Sequence, residues 1–128
     1  MEITLDTHTF IWYLDKSLNN KLSQKALKII KEAEDSYTIY LPIIVLIEVL
    51  YLIEKGRVNV SFHKLLLNLE KSINYEIVPF DTKLLKVAET IKGLEVHDRL
   101  ILATAILTGS PLVSYDREIH AKGIKVIW

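Results

Sequence analysis

At 128 residues the chain can bury roughly two-thirds of its extended surface in one core, so a single domain over 1–128 is expected without staples. Half the residues are hydrophobic and a quarter charged, which excludes a disordered or fibrous chain, and the absence of cysteine excludes a disulfide framework or a thiolate metal site. Sixteen basic and sixteen acidic side chains cancel, which argues against a protein that coats nucleic acid through a broad basic field. Neutrality leaves open a site that reaches phosphate through a metal or a few local cations. Met1-Glu2-Ile3-Thr4 carries no basic segment before an apolar stretch, and no apolar run approaches the roughly 20 residues of a membrane helix, so the expected location is cytoplasmic.

Strand and helix signals alternate along the chain. Glu2 to Leu5 reads as a first strand, and Asp6-Thr7-His8-Thr9 offers polar caps to a helix through Phe10–Leu14. Ser23 caps an amphipathic helix with Ala26, Leu27, Ile30 and Ala33 on one face. Lys16, Lys21, Lys25, Lys28 and Lys31 recur mostly every three or four residues, as a solvated face or a basic contact surface would. Tyr37 to Leu41 is the second strand, and Pro42 suits the first turn of a helix that Gly56 closes. Ser61 caps a helix bearing Phe62, Leu65, Leu66 and Leu69, followed by a third strand over Tyr75–Pro79. Asp81 caps a helix ending near Gly93, and His97-Asp98 opens a nearly all-apolar one closed by Gly109. Leu112 to Ser114 is a fourth strand, Arg117 to Lys122 a short helix, and Lys125 to Trp128 a fifth strand. Such alternation implies a three-layer α/β/α sandwich around a parallel sheet of about five strands, with binding crevices at the strands' C-terminal ends.

Four carboxylates interrupt or follow apolar runs: Asp6 after Ile3-Thr4-Leu5, Glu48 within Ile43–Ile53, Asp98 before Leu100–Ala103, and Asp116 after Leu112–Tyr115. A buried, unpaired carboxylate is costly, and two at about 4 Å repel by about 4 kcal/mol at an effective dielectric near 20. A hard divalent cation resolves such a convergence, which points to a magnesium- or manganese-dependent phosphodiesterase. Asp6 and Asp98 also suit the N-termini of the helices they precede, and Asp116 suits an ordinary turn. Glu48 has five apolar residues on either side, with only Lys55 and Arg57 a turn or two downstream as partners. Arg99 and Arg117 suit either phosphate or a neighbouring acid. His8 and His97 fit helix starts better than hard-metal ligation.

Leu5-Asp6-Thr7-His8-Thr9-Phe10-Ile11-Trp12, Glu48 with Lys55-Gly56-Arg57, His97-Asp98-Arg99 through Ala105, and Leu112 through Arg117 with Gly123 to Trp128 together resemble the PIN-domain ribonucleases. More narrowly the chain resembles the VapC-type toxins of type II toxin-antitoxin modules, over essentially its whole length. The resemblance implies that Asp6, Glu48, Asp98 and Asp116 gather in one acidic pocket holding Mg²⁺ or Mn²⁺, with Asp6 and Asp98 as principal ligands and Thr7 and Ser114 orienting carboxylates or metal waters. It implies an RNA substrate, an antitoxin partner and a homodimer. The chain departs from the pattern at Pro42 and Val45, where relatives carry hydroxyl residues, and at Glu95, where they often carry a second aspartate; Glu95 is thus a reserve ligand.

A haloacid-dehalogenase-type phosphatase would carry a carboxylate where His8 stands, and a receiver domain would not predict Glu48 in a helix. Two further readings stay within the fold: an RNA-processing nuclease without an antitoxin, and a catalytically inactive PIN-fold binding module. Ile43–Ile53 and Phe62–Leu69 hold more hydrophobes than one face of a small domain buries, as expected of a helical surface shared with another chain.

Overall fold

A computed structural model describes residues 1–120 and 122–128. Five parallel strands form one sheet: β1 (Ile3–Leu5), β2 (Ile39–Pro42), β3 (Tyr75–Val78), β4 (Leu112–Val113) and β5 (Val126–Ile127), in the order β3-β2-β1-β4-β5. Parallel strands are covered on both faces and need apolar residues throughout. Accordingly Ile3, Leu5, Ile39, Leu41, Leu112, Val113 and Ile127 are all buried. Thr4, fully buried within β1, satisfies its hydroxyl at 2.6 Å from the Ser110 hydroxyl. The flanking helices are α1 (Thr7–Leu14), α2 (Gln24–Ser36), α3 (Ile43–Glu54), α4 (Phe62–Lys71), α5 (Thr82–Thr90), α6 (Val96–Thr108) and α7 (Arg117–His120). Among the described residues no helix is long and apolar enough to cross a membrane.

The helices start where side-chain acceptors relieve the orphan backbone N–H groups of a first turn. Asp6, Ser23, Ser61 and Asp81 accept from the N–H groups of Thr9, Ala26, Lys64 and Leu84. Gly109, at φ 65°, closes α6 in the left-handed region that side-chain-bearing residues avoid. Strand ends differ from the sequence reading by a residue or two, and several larger differences stand out. Pro42 is the last residue of β2, opposite Val78, and precedes α3 as its cap instead of entering it. Residues Lys16–Lys21 form a 3₁₀ turn that separates two of the lysines from α2, so the five do not share one helix face. Helix α5 stops at Thr90, and Glu95, not His97, caps α6. Of the expected Arg117–Lys122 helix, α7 spans Arg117–His120, and Ala121 lies outside the described residues.

The strand order places the site. From β1 the chain leaves for β2 on one side, while β4 docks on the other, so β1 and β4 flank the point where strand order reverses. A crevice opens there beyond the strands' C-terminal ends. Asp6 directly follows β1, and Ser114, Tyr115 and Asp116 follow β4. The Thr9 hydroxyl of α1 donates to the Val113 carbonyl at 3.2 Å, which locks the start of α1 to the end of β4. Packing of α3 against both α1 and α6 brings Glu48 and Asp98 to the same place.

Candidate active site

A cleft of about 760 Å³ opens at this switch point, and Asp6, Glu48, Asp98 and Asp116 all line it, together with Glu95. Asp6, Glu48, Asp98 and Asp116 each come from a different element, and Glu95 caps the helix that carries Asp98, so the site exists only in the folded chain. Asp6 is held from two sides: its Oδ1 accepts from the Thr9 N–H at 3.0 Å, and its Oδ2 accepts from the Ser114 hydroxyl. Ser114 is itself oriented, because its Oγ accepts from the Asp116 N–H at 3.0 Å. Glu48 accepts from the Thr7 hydroxyl at 2.7 Å. This bond restores from α1 the hydroxyl that Pro42 and Val45 deny it on its own element. Neither Lys55 nor Arg57 lines the cleft. Instead His97 Nδ1 stands 3.9 Å from Glu48 Oε2 and 3.5 Å from Glu95 Oε1.

The electrostatics mark the cleft as short of positive charge. Burial pushes the Asp6 carboxyl up, against the hydrogen bonds from Ser114 and Thr9 and the pull of His8. Asp98 is pushed up to about 6, by burial first and then by the charges of Asp116, Glu95, Glu48 and Asp6. Asp98 thus feels the four other acids across one space. Among the described residues no three His, Asp or Glu side chains stand close enough to form a ready-made metal cage. The donors facing the cleft are nonetheless carboxylate oxygens, and Mg²⁺ keeps several waters while binding only one or two carboxylates directly. The residues present therefore fit a hydrated hard cation.

Arg117 lines the cleft, whereas Arg99 lies in a separate groove beside α5, with its Nε buried and without a hydrogen-bond partner. His8, the second residue of α1, also lines the cleft and packs at 5.8 Å against the ring of Trp12. Asp116 doubles as a cap, accepting from the Glu118 N–H at 2.9 Å. Sequence reasoning assigns no role to Trp12 or Tyr115, yet both line the cleft. The readable signal was their spacing: Trp12 lies on the helix that Asp6 caps, and Tyr115 precedes Asp116.

The PIN domain family model matches residues 3–125. Comparison with curated protein sequences gives no significant match. Among solved structures the fold is similar to VapBC2 from Rickettsia felis bound to a promoter DNA fragment, at TM-score 0.73 and 19% identity over 100% of this chain and 99% of that one. It is similar to FitAcB from Neisseria gonorrhoeae, at 0.69 and 22% over 98% and 96% of the two chains. A toxin-antitoxin complex from Klebsiella pneumoniae aligns at 0.67 and 17%, again over 98% and 96%.

Proposed function

The chain belongs to the PIN domain family, and we propose that it is a single-domain, divalent-cation-dependent endoribonuclease of the VapC type, a toxin restrained by a small antitoxin. The observation that carries this reading is the cleft at the switch point, which Asp6, Glu48, Asp98 and Asp116 all line and where burial, and then the charges of the neighbouring acids, push the Asp98 carboxyl up to about 6. Asp6 and Asp98 would hold Mg²⁺ or Mn²⁺, and Glu48 and Asp116 would complete the shell directly or through waters. When bound, such a cation polarises the scissile phosphate and lowers the pKa of a water. Ser114 keeps Asp6 aimed into the cleft, and Thr7 does the same for Glu48, so the carboxylates need little reorganisation. Arg117 supplies a phosphate contact at the rim.

The toxin reading draws support from the fold's likeness to toxin-antitoxin complexes. Exposed Ile47, Leu50 and Tyr51 on α3 and Leu67 on α4 leave apolar surface that a homodimer or an antitoxin would cover. Cytoplasmic RNA is the substrate this reading requires. The purified chain should cleave single-stranded RNA with Mg²⁺ or Mn²⁺, stop in EDTA, and resume when excess cation is restored. Cleavage undiminished in EDTA overturns the proposal.

A further inference from the structure

Beside the acids stands a cluster of three aromatic rings: Trp12 from α1, Tyr115 from the segment after β4, and Trp128 beyond β5. Their centroids are 5.5 to 6.3 Å apart and each pair is tilted by 62° to 65°, so no ring is stacked face to face on another. Trp12 and Tyr115 line the same cleft as Asp6, Asp98 and Asp116, and Tyr115 keeps 58% of its surface exposed. A large aromatic side chain left that open, at the mouth of a polar cleft, retains an accessible apolar surface beside the acids. Lys21 Nζ lies 5.7 Å from the centre of the Trp12 ring, which places a cation beside the cluster.

The charge balance turns this cluster into a binding argument. The sixteen basic side chains are cancelled by sixteen acidic ones, and among the described residues lining the acidic cleft Arg117 is the one lysine or arginine, so the cleft itself offers little positive charge from which to draw affinity for a phosphate backbone. Stacking on aromatic rings is a source of affinity for single strands that needs no positive charge, and it requires an unpaired base. Resting on the nuclease reading above, we propose that Tyr115 and Trp12 form a stacking platform for an unpaired nucleobase next to the phosphate that the acids would hold through a bound cation. The platform then selects single-stranded over duplex RNA at the point of cleavage.

The two tryptophans of the chain are both in this cluster, so intrinsic fluorescence reports it directly. The probes are a short mixed-sequence oligoribonucleotide, its duplex, and an abasic ribose-phosphate chain of equal length, titrated in Ca²⁺ into the full chain and into Tyr115→Leu and Tyr115→Phe. The expected result is saturable quenching by the single strand, with duplex and abasic chain binding at least about tenfold more weakly. Tyr115→Leu should weaken single-strand binding by about tenfold and Tyr115→Phe should restore it. Equal binding of abasic and base-bearing chains, absence of quenching, or unaltered affinity in a folded Tyr115→Leu protein overturns the platform. Cation-dependent cleavage with base-indifferent binding would leave the nuclease and remove the platform; base-dependent binding without cleavage would do the reverse.

Discussion

Two clefts of nearly equal size, about 760 and 770 Å³, each present carboxylate to solvent, and they treat it in opposite ways. In the second, Glu34 of α2 accepts from the Tyr13 hydroxyl at 2.9 Å and the Tyr75 hydroxyl at 2.6 Å. Both phenols are pushed up, by burial and then by their bonds to Glu34, and so remain donors at any physiological pH. Glu34 ties α1 and β3 to α2 and is satisfied by neutral groups, with no like charge among its partners. In the first cleft hydroxyls aim the carboxylates but do not neutralise them, and Asp98 carries the repulsion of four neighbours. Glu34 is surrounded by donors, whereas Asp98 is surrounded by other carboxylates, as the proposed metal site requires.

The sharpest way to break that comparison is to remove one charge from each side. Asp6→Asn and Asp98→Asn should fold and lose cleavage by orders of magnitude, while gaining thermal stability in EDTA because like-charge repulsion is relieved. Asparagine preserves most of the capping at Asp6, so loss of activity there cannot be laid to the helix. Glu95→Gln should be milder, since Glu95 already serves as the cap of α6. Melting temperature paired with RNA cleavage decides; near-wild-type cleavage by both Asp6→Asn and Asp98→Asn would overturn the assigned site.

Glu34→Ala should do the opposite. Two phenols lose their shared acceptor, at a cost of about 2 kcal/mol, which lowers the melting temperature by several degrees and leaves cleavage below the transition unchanged. A Glu34→Ala protein that melts like the wild type would mean that water replaces the carboxylate without cost.

A smaller effect tests the raised carboxyls themselves. The folded Asp98 carboxyl, at about 6, binds its proton more tightly than an ordinary aspartate at 3.8, and Asp6 is shifted in the same direction. The folded state then holds more protons between these values, so stability falls as pH rises through about 6. Cation-free protein should melt higher at about pH 5 than at about pH 7.5, and Mn²⁺ should restore the difference at the higher pH. Glu34→Ala should keep this dependence and Asp98→Asn should flatten it. A pH-independent melting temperature in EDTA would show that neither burial nor the neighbouring charges raise these carboxyls.

Much of the architecture is local and was therefore legible. Ser23, Ser61 and Asp81 mark helix starts because a cap acts over three residues, and the amphipathic period of α2 shows within a dozen. Pro42 was misplaced because its missing N–H suits the end of a strand as well as the first helical turn. The 3₁₀ turn over Lys16–Lys21 follows no hydrophobic period, being held by Asp15 to the Ser17 N–H and by the Asn19 amide to the Trp12 carbonyl. The four acids stood out because each sits against an apolar run, and burial makes an isolated charge conspicuous. What the tertiary structure alone decided is their company. The separations of 41 positions from Thr7 to Glu48 and of 108 from Asp6 to Ser114 close only through the sheet order β3-β2-β1-β4-β5. The same order, by setting β1 between β2 and β4 with β5 outside, brings Trp12, Tyr115 and Trp128 together. Contacts of this kind depend on which strand lies beside which, a choice settled by the packing of the whole core and carried by no single segment.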